Sequence, residues 1–188
     1  CLFRSNKKGN DTAKNMAIGA AAGGAIGFVT AHFKAVGICY KKHPDWIPES
    51  KIQRGKGYDV ALKETGYKPE MGLVSKVFPP KLPASIDAGS PLPLLTRFLV
   101  MTPDGAEADV VIERKLFVID EGTETPIQFP GRQREQRKLE AGESLDEASL
   151  PIPAEMKSSN GKHLTLRYEV SVAVGDKAPD RKSTRLNS

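Results

Sequence analysis

The chain has 188 residues and a formal net charge of +5, and only 6% of its residues are aromatic. This length allows one domain of ordinary size plus an appendage, and 17 glycines with 14 prolines favour short elements joined by turns over a helical bundle. The charge is uneven, because residues 1–56 carry ten Lys and Arg against three Asp and Glu, whereas residues 57–188 carry a slight excess of acids.

The chain begins at Cys1 and continues into a polar stretch that ends at residue 15. Cys1 and Cys39 are too few for a disulfide framework, and neither lies in a CxxC motif. A chain that begins at Cys and continues into a short polar tether resembles a mature bacterial lipoprotein. The resemblance implies lipidation of Cys1 and a tether over 1–15, and the alternative is a fragment that happens to begin at this residue.

Residues 16–40 are predicted to form an α-helix with a small residue at every fourth position. Glycine in a helix interior costs about 1 kcal/mol relative to alanine, so the stripe needs a compensating contact, and close approach of another helix is the usual one. The pattern Gly19-x-x-x-Gly23-x-x-x-Gly27 resembles the glycine-zipper proteins of bacterial envelopes. The predicted helix contact residues are Gly19, Gly23, Gly27, Ala31 and Ala35.

The uncharged stretch 15–33 has nearly the roughly 20 residues that a bilayer span needs, although Ala and Gly favour insertion only weakly. Lysines on both sides of it would be attracted to anionic headgroups. We therefore expect membrane lipid as a partner, together with self-association or a partner helix. The alternative is a tightly packed helix within a soluble protein.

Residues 41–69 are predicted to be a linker with one short helix. The stretch 41–56 has prolines, glycines and no period, whereas 58–65 suits one or two helical turns that end at Gly66. Trp46 is the only large anchor in this linker. It either lies at the headgroup level or docks the linker on the following domain.

Residues 70–179 are predicted to form an antiparallel β-sandwich, since a period of two recurs in short stretches separated by turns. The period is clearest over 163–174, where six apolar residues alternate with others, and in 108–119 the apolar face is interrupted by Arg114. Residues 132–144 are expected to be an exposed edge strand or a short helix. The other predicted strands are 73–78, 92–101, 127–129 and 145–152.

The plan of this domain resembles the immunoglobulin-like or fibronectin-type modules of bacterial periplasmic and surface proteins. The likeness lies in the turns at 88–89 and 102–104 and in Pro151-Ile152-Pro153, which leads into the last long strand. It implies a binding or structural module. The tail 180–188, DRKSTRLNS, resembles translated sequencing-adapter read-through, and we expect it to be non-native or disordered.

The sequence contains no convincing active site, so we expect neither an enzyme, nor a cofactor, nor a metal. His32, His43 and His163 are too scattered for a metal site, and no nucleophile elbow marks any serine. The basic run 132–138 is interleaved with glutamates and lacks aromatic residues for base stacking. We therefore expect no nucleic-acid partner.

The sequence thus predicts a mainly β, non-enzymatic lipoprotein of the bacterial cell envelope, at the outer membrane and facing the periplasm. Cys1 and the zipper helix would anchor it, and the sandwich would bind an unidentified protein or glycan or serve a structural role. The alternative is a soluble or secreted fragment of a larger adhesin or enzyme, in which the sandwich is an accessory module.

Overall fold

Two antiparallel sheets face each other in the computed structural model, which describes residues 27, 29–47, 50–82, 90–120, 122–151 and 165–187. The expected mainly β architecture is confirmed. The strands of these residues are β1 (Lys51–Gly57), β2 (Val74–Val77), β3 (Pro91–Met101), β4 (Ala108–Asp120), β5 (Thr123–Ile127), β6 (Arg134–Leu139), β7 (Gly142–Pro151), β8 (Thr165–Val174) and β9 (Asp180–Asn187).

The first sheet has the strand order β1-β7-β3-β2, and the second has the order β5-β4-β8-β9. Strand β6 also pairs with β4, on the same edge as β5 but along the opposite half of the strand. Side chains alternate between the two faces of a strand, so each sheet turns one apolar row inward. The inward rows meet in one core, which includes Leu92, Leu94, Phe98 and Val100 from β3, Val110, Ile112, Leu116 and Val118 from β4, and Leu166, Tyr168, Val170, Val172 and Val174 from β8.

The edge formed by β5 and β6 is one strand interrupted by a loop over 128–133. The predicted strand 127–129 ends at Ile127, because Phe129 leaves the edge and enters the core. The edge-strand interpretation of 132–144 is confirmed by β6, and β7 begins at Gly142.

Two segments that the sequence did not assign to strands are strands. Within the predicted linker, Lys51–Gly57 is β1 and pairs with β7. The tail 180–188 was expected to be non-native or disordered, and the structure differs from disorder, since Asp180–Asn187 is β9 and pairs with β8 from Val172 to Thr165. The carboxylate of Asp180 also accepts a hydrogen bond of 2.7 Å from the backbone N–H of Val77 in the first sheet.

The short helix is confirmed as α2 (Tyr58–Thr65), and Gly66 ends it in the left-handed conformation with φ of 64°. Glycine adopts this conformation without a steric penalty, which is why it terminates helices so often. Ala61 of α2 packs on the outer face of the first sheet against Leu99 and Met101.

An N-terminal helix, α1, covers residues 29–42 and is followed by a 3-10 turn, Pro44–Trp46. Its buried stripe begins with Val29, Phe33 and Val36, and the first two belong to the core of the sandwich. Within the part of the chain that the structure describes, no helix combines the length and the apolar character that crossing a bilayer requires.

Candidate functional site

A buried ion pair joins the inner faces of the two sheets. Arg114 of β4 donates from Nε to Oδ2 of Asp146 at 2.8 Å and from Nη2 to Oδ1 at 2.7 Å. Asp146 lies on β7, and the two side chains are 1% and 0% exposed. A bidentate pair of this kind fixes the direction of the guanidinium as well as its distance from the carboxylate. The pair therefore holds the two sheets in one relative position.

Arg114 also forms hydrogen bonds with residues at the break between β5 and β6. Its Nη1 donates to the backbone oxygen of Arg132 at 3.0 Å and to Oε2 of Glu135 at 3.3 Å. Its backbone N–H donates to the oxygen of Gln133 at 2.7 Å. At the break, Gln133 thus still pairs with the backbone of β4, and the guanidinium of Arg114 supplies the hydrogen bond to the carbonyl of Arg132.

Glu135 extends the ion pair to the edge of the first sheet. Its carboxylate accepts hydrogen bonds from the hydroxyl of Ser50 and from Nε of Arg137. Burial alone would raise the pKa of Glu135, but these two hydrogen bonds and the charge of Arg114 outweigh burial and lower it. Through these contacts Glu135 holds Ser50, Arg137 and Arg114 in one cluster.

The surroundings of the ion pair also shift the ionisation of Arg114. Burial would lower the pKa of the guanidinium, yet the hydrogen bonds to Asp146 and the charge of that carboxylate raise it overall. Burial raises the pKa of Tyr168, whose ring stacks on Phe129 with centroids 5.7 Å apart. Arg114 is therefore charged and Tyr168 neutral under all ordinary conditions.

A groove with a volume of about 630 Å³ opens beside this cluster, at the point where β1 begins. Its lining is mainly apolar, with basic side chains at the rim and a single acid, and consists of Ser50, Lys51, Lys81, Leu82, Pro93, Leu94, Leu95, Arg114, Phe129, Pro130, Gly131, Arg132, Glu147, Ala148 and Ser149. Lys51 opposite Glu147 is the last pair between β1 and β7. Apolar walls with a few placed polar groups are typical of binding pockets.

The loop over 128–133 shapes one wall of this groove. Phe129 is 2% exposed, and a Cβ on Gly131 would lie 2.9 Å from its ring. On the opposite wall, Lys81 exchanges backbone hydrogen bonds with Leu95, with N to O distances of 2.8 and 3.3 Å. Both walls are thus held by backbone contacts or by core packing, so the groove is formed before any ligand enters.

The predicted functional residues of the N-terminal part fall in two groups. Cys1, Gly19 and Gly23 lie outside the described residues. Gly27, Ala31 and Ala35 are half-buried, and the fully buried stripe beside them is the one that begins at Val29. The lipidation of Cys1 and the contact role of the small residues therefore stay predictions.

Gly37 and Cys39 of α1 lie on its protein-facing side. At Gly37 an added Cβ would lie 2.6 Å from Cγ of Gln128, so α1 approaches the loop over 128–133 closely at this position. Cys39 is buried, with 8% of its surface exposed. Among the described residues, no three His, Cys, Asp or Glu side chains are grouped as metal ligands.

Sequence reasoning missed the ion pair, although it noted that Arg114 interrupts an apolar face. An arginine at an inward position of a strand is a usable signal, because a buried charge must be paired. The identity of the partners was the missing part, since Asp146 lies 32 residues and Glu135 21 residues further along the chain.

No protein-family model matches the sequence, and no curated protein matches it. Similar solved structures include a β-glucosidase from Erythrobacter marinus, with 18% identity and a TM-score of 0.36 over 61% of this chain and 15% of that enzyme. A conjugative transposon lipoprotein from Bacteroides eggerthii shows 9% identity and a TM-score of 0.29 over 61% of this chain and 94% of its own. The collagen binding subdomain of the Enterococcus faecalis surface protein ACE shows 6% identity and a TM-score of 0.23 over 72% and 98%. None of these likenesses carries an argument about what this chain does.

Proposed function

We propose that the chain is a non-enzymatic lipoprotein of the bacterial cell envelope, whose immunoglobulin-like β-sandwich binds a partner in the groove beside Arg114. The observation that carries the binding role is the groove itself, which is preformed and joined to the cross-sheet ion pair. The anchor at Cys1 is proposed from the sequence alone.

The lining of the groove favours a protein segment over a glycan. Pro93, Leu95 and Leu82 offer apolar surface, which suits side chains better than sugar hydroxyls. Lys51, Lys81 and Arg132 add positive charge at the rim. The proposed occupant is therefore an extended segment with apolar residues and at least one acidic residue.

Membrane attachment is tested by expressing the gene with its natural upstream sequence and washing the membranes with high salt. Wild-type protein is expected to stay on the membrane with a lipid mass on the peptide that contains Cys1, and Cys1→Ser is expected to wash off. Cys39→Ser is the matched control. A thioether to lipid and a disulfide compete for one sulfur, so peptide mapping that finds Cys1 joined to Cys39 would contradict the anchor.

The binding role is tested by photo-crosslinking in intact cells. A crosslinker at Lys81, an exposed position on the rim, is expected to capture a discrete envelope protein. A crosslinker at Lys63, exposed on α2, is the control and should capture none. Equal capture at both positions, or none at either, would argue against a role for the groove.

A further inference from the structure

The solvent-facing side of α1 carries three lysines and an exposed apolar residue in one stripe. Lys34, Ile38, Lys41 and Lys42 are the exposed residues of the helix, and their spacing of four, three and one places them on one face. Trp46 follows on the 3-10 turn. Ile38 is 49% and Trp46 43% exposed, so both offer apolar surface on the same side as the lysines. We name these five residues the lysine strip.

The direction of the lysine strip is fixed by the opposite side of α1. Val29 and Phe33 are 0% exposed and belong to the core of the sandwich, so the helix cannot roll without opening that core. This arrangement also means that the apolar stripe of the described helix is already used by protein. A membrane could therefore meet this part of the chain only through the lysine strip.

Trp46 is held in place by the turn that carries it. The N–H of Trp46 donates to the oxygen of His43 at 3.0 Å, and the N–H of His43 donates to the oxygen of Cys39 at 2.9 Å. The indole stacks on the imidazole of His43 with centroids 4.1 Å apart and an angle of 13° between the planes. The aromatic surface thus stays beside the lysines rather than folding back onto the domain.

The charge of this region is one-sided. Residues 29–47 contain three lysines and a single acid, Asp45. None of the three lysines forms an ion pair with another described residue. A lysine near an anionic bilayer contributes an attraction that corresponds to roughly a fivefold gain in affinity. Tryptophan with apolar neighbours prefers the headgroup level of a bilayer.

We propose that the lysine strip docks the domain sideways on an anionic bilayer surface. Trp46 and Ile38 enter the headgroup region, and Lys34, Lys41 and Lys42 lie against anionic phosphates. The inference rests on the proposed envelope location, but the contact itself needs no lipid on Cys1. It supplies the second of two weak attachments, which together hold a protein on a membrane far longer than either alone.

The test uses the full chain without lipid, and it takes advantage of Trp46 as the only tryptophan. Vesicles of phosphatidylglycerol and phosphatidylcholine in equal parts are expected to shift the Trp46 emission to shorter wavelength and to sediment the protein. Pure phosphatidylcholine vesicles should do neither, and added salt should reverse the shift. Brominated lipids should quench the emission.

Two charge-reversed variants decide whether the lysine strip is responsible. Lys41→Glu with Lys42→Glu is expected to weaken vesicle binding at least roughly tenfold. Lys63→Glu with Lys68→Glu changes the net charge equally at exposed positions elsewhere and should bind like wild type. Unchanged far-UV circular dichroism shows that both remain folded.

Three outcomes would overturn the proposal: no emission shift with anionic vesicles, equal weakening in both variants, or full binding by the Lys41 and Lys42 variant. Each would leave the strip to a protein partner or to solvent. The test is independent of the anchor. If the chain binds vesicles but the protein isolated from cells carries no lipid on Cys1, only the anchor is removed. If that protein carries the lipid but vesicles give no emission shift, only the lysine strip is removed.

Discussion

Ile112 and Arg114 are successive inward-facing residues of β4, and they lie in two layers of the interior. The layer around Ile112 is mainly apolar, whereas the layer around Arg114 is charged. Ile112 lies in the apolar core opposite Val172, its partner on β8, and meets a charged side chain on the other side, where Glu135 is its partner on β6. Around Arg114 the same inward row carries a paired guanidinium and carboxylate, and the hydroxyls of Thr96 and Tyr168 are buried nearby. The apolar layer can be filled by many combinations of side chains, whereas the charged layer accepts one arrangement, because an unpaired buried charge is so costly.

The contrast between these two layers explains what fixes the position of one sheet relative to the other. Apolar rows attract each other without regard to direction, so they would permit the sheets to slide. The bidentate pair of Arg114 and Asp146 has one satisfactory position. It also lies beside the groove, so the geometry of the interior and of the proposed binding surface are coupled.

The largest expected effect comes from removing one partner of the pair. Asp146→Ala leaves the buried Arg114 without its main counter-charge and should lower the free energy of unfolding by about 3–5 kcal/mol. Urea denaturation followed by circular dichroism measures this loss. Replacing both residues, as Arg114→Met with Asp146→Leu, should restore most of it, because no unpaired charge remains. A double variant as unstable as the single one would contradict the assignment of the loss to an unpaired charge.

A smaller effect is expected at Glu135, where the pH dependence carries the information. Glu135→Gln should cost about 1.5–3 kcal/mol at neutral pH, since hydrogen bonds to charged partners are lost. The native pKa lies below the ordinary value of 4.5, so the contribution of the carboxylate is complete above about pH 4.5 and is lost as the pH falls through the native pKa.

The difference in unfolding free energy between wild type and Glu135→Gln should therefore shrink as the pH is lowered from neutral to about 3. Glu140→Gln, which breaks an exposed pair with Arg54, is the matched control and should change little. A difference at Glu135 that stays constant over this range would show that its charge does not stabilise the fold.

The smallest effect is expected in the apolar layer. Ile112→Val removes one buried methyl group and should cost about 0.5–1.5 kcal/mol, with no dependence on pH. Denaturation at two pH values measures both features. A loss comparable to that of Asp146→Ala would mean that the two layers do not differ in the way described.

The sequence predicted the strands whose two faces differ in polarity. In β4 and β8 the period of two follows directly from that asymmetry, and α2 was recognised through the glycine that ends it. Strand β1 was missed because it lies on a sheet edge and is largely exposed, so nothing makes its residues alternate. Strand β9, on the edge of the other sheet, was missed because its segment was interpreted as adapter read-through or a disordered tail. Such strands are defined by the neighbour they pair with rather than by their own pattern.

The candidate site was less predictable than the fold. The position of Arg114 signalled a buried charge, but which carboxylate meets it depends on how two sheets face each other. In α1 the helical period of 3.6 predicts two candidate faces for protein contact, the stripe of small residues and the stripe that begins at Val29. Both are apolar, so the composition of the sequence did not show which of them is buried. The groove combines residues from six separate stretches, and no local pattern indicates that they converge.

The loop that separates β5 from β6 has a consequence for how the molecule behaves at high concentration. A continuous rim of unpaired backbone groups can recruit the same rim of another copy and start a growing ladder. Here the run of unpaired groups is cut into two pieces of five and six residues, with buried Phe129 and Pro130 between them. The loop that forms one wall of the groove therefore also makes the edge formed by β5 and β6 a poor template for fibril growth.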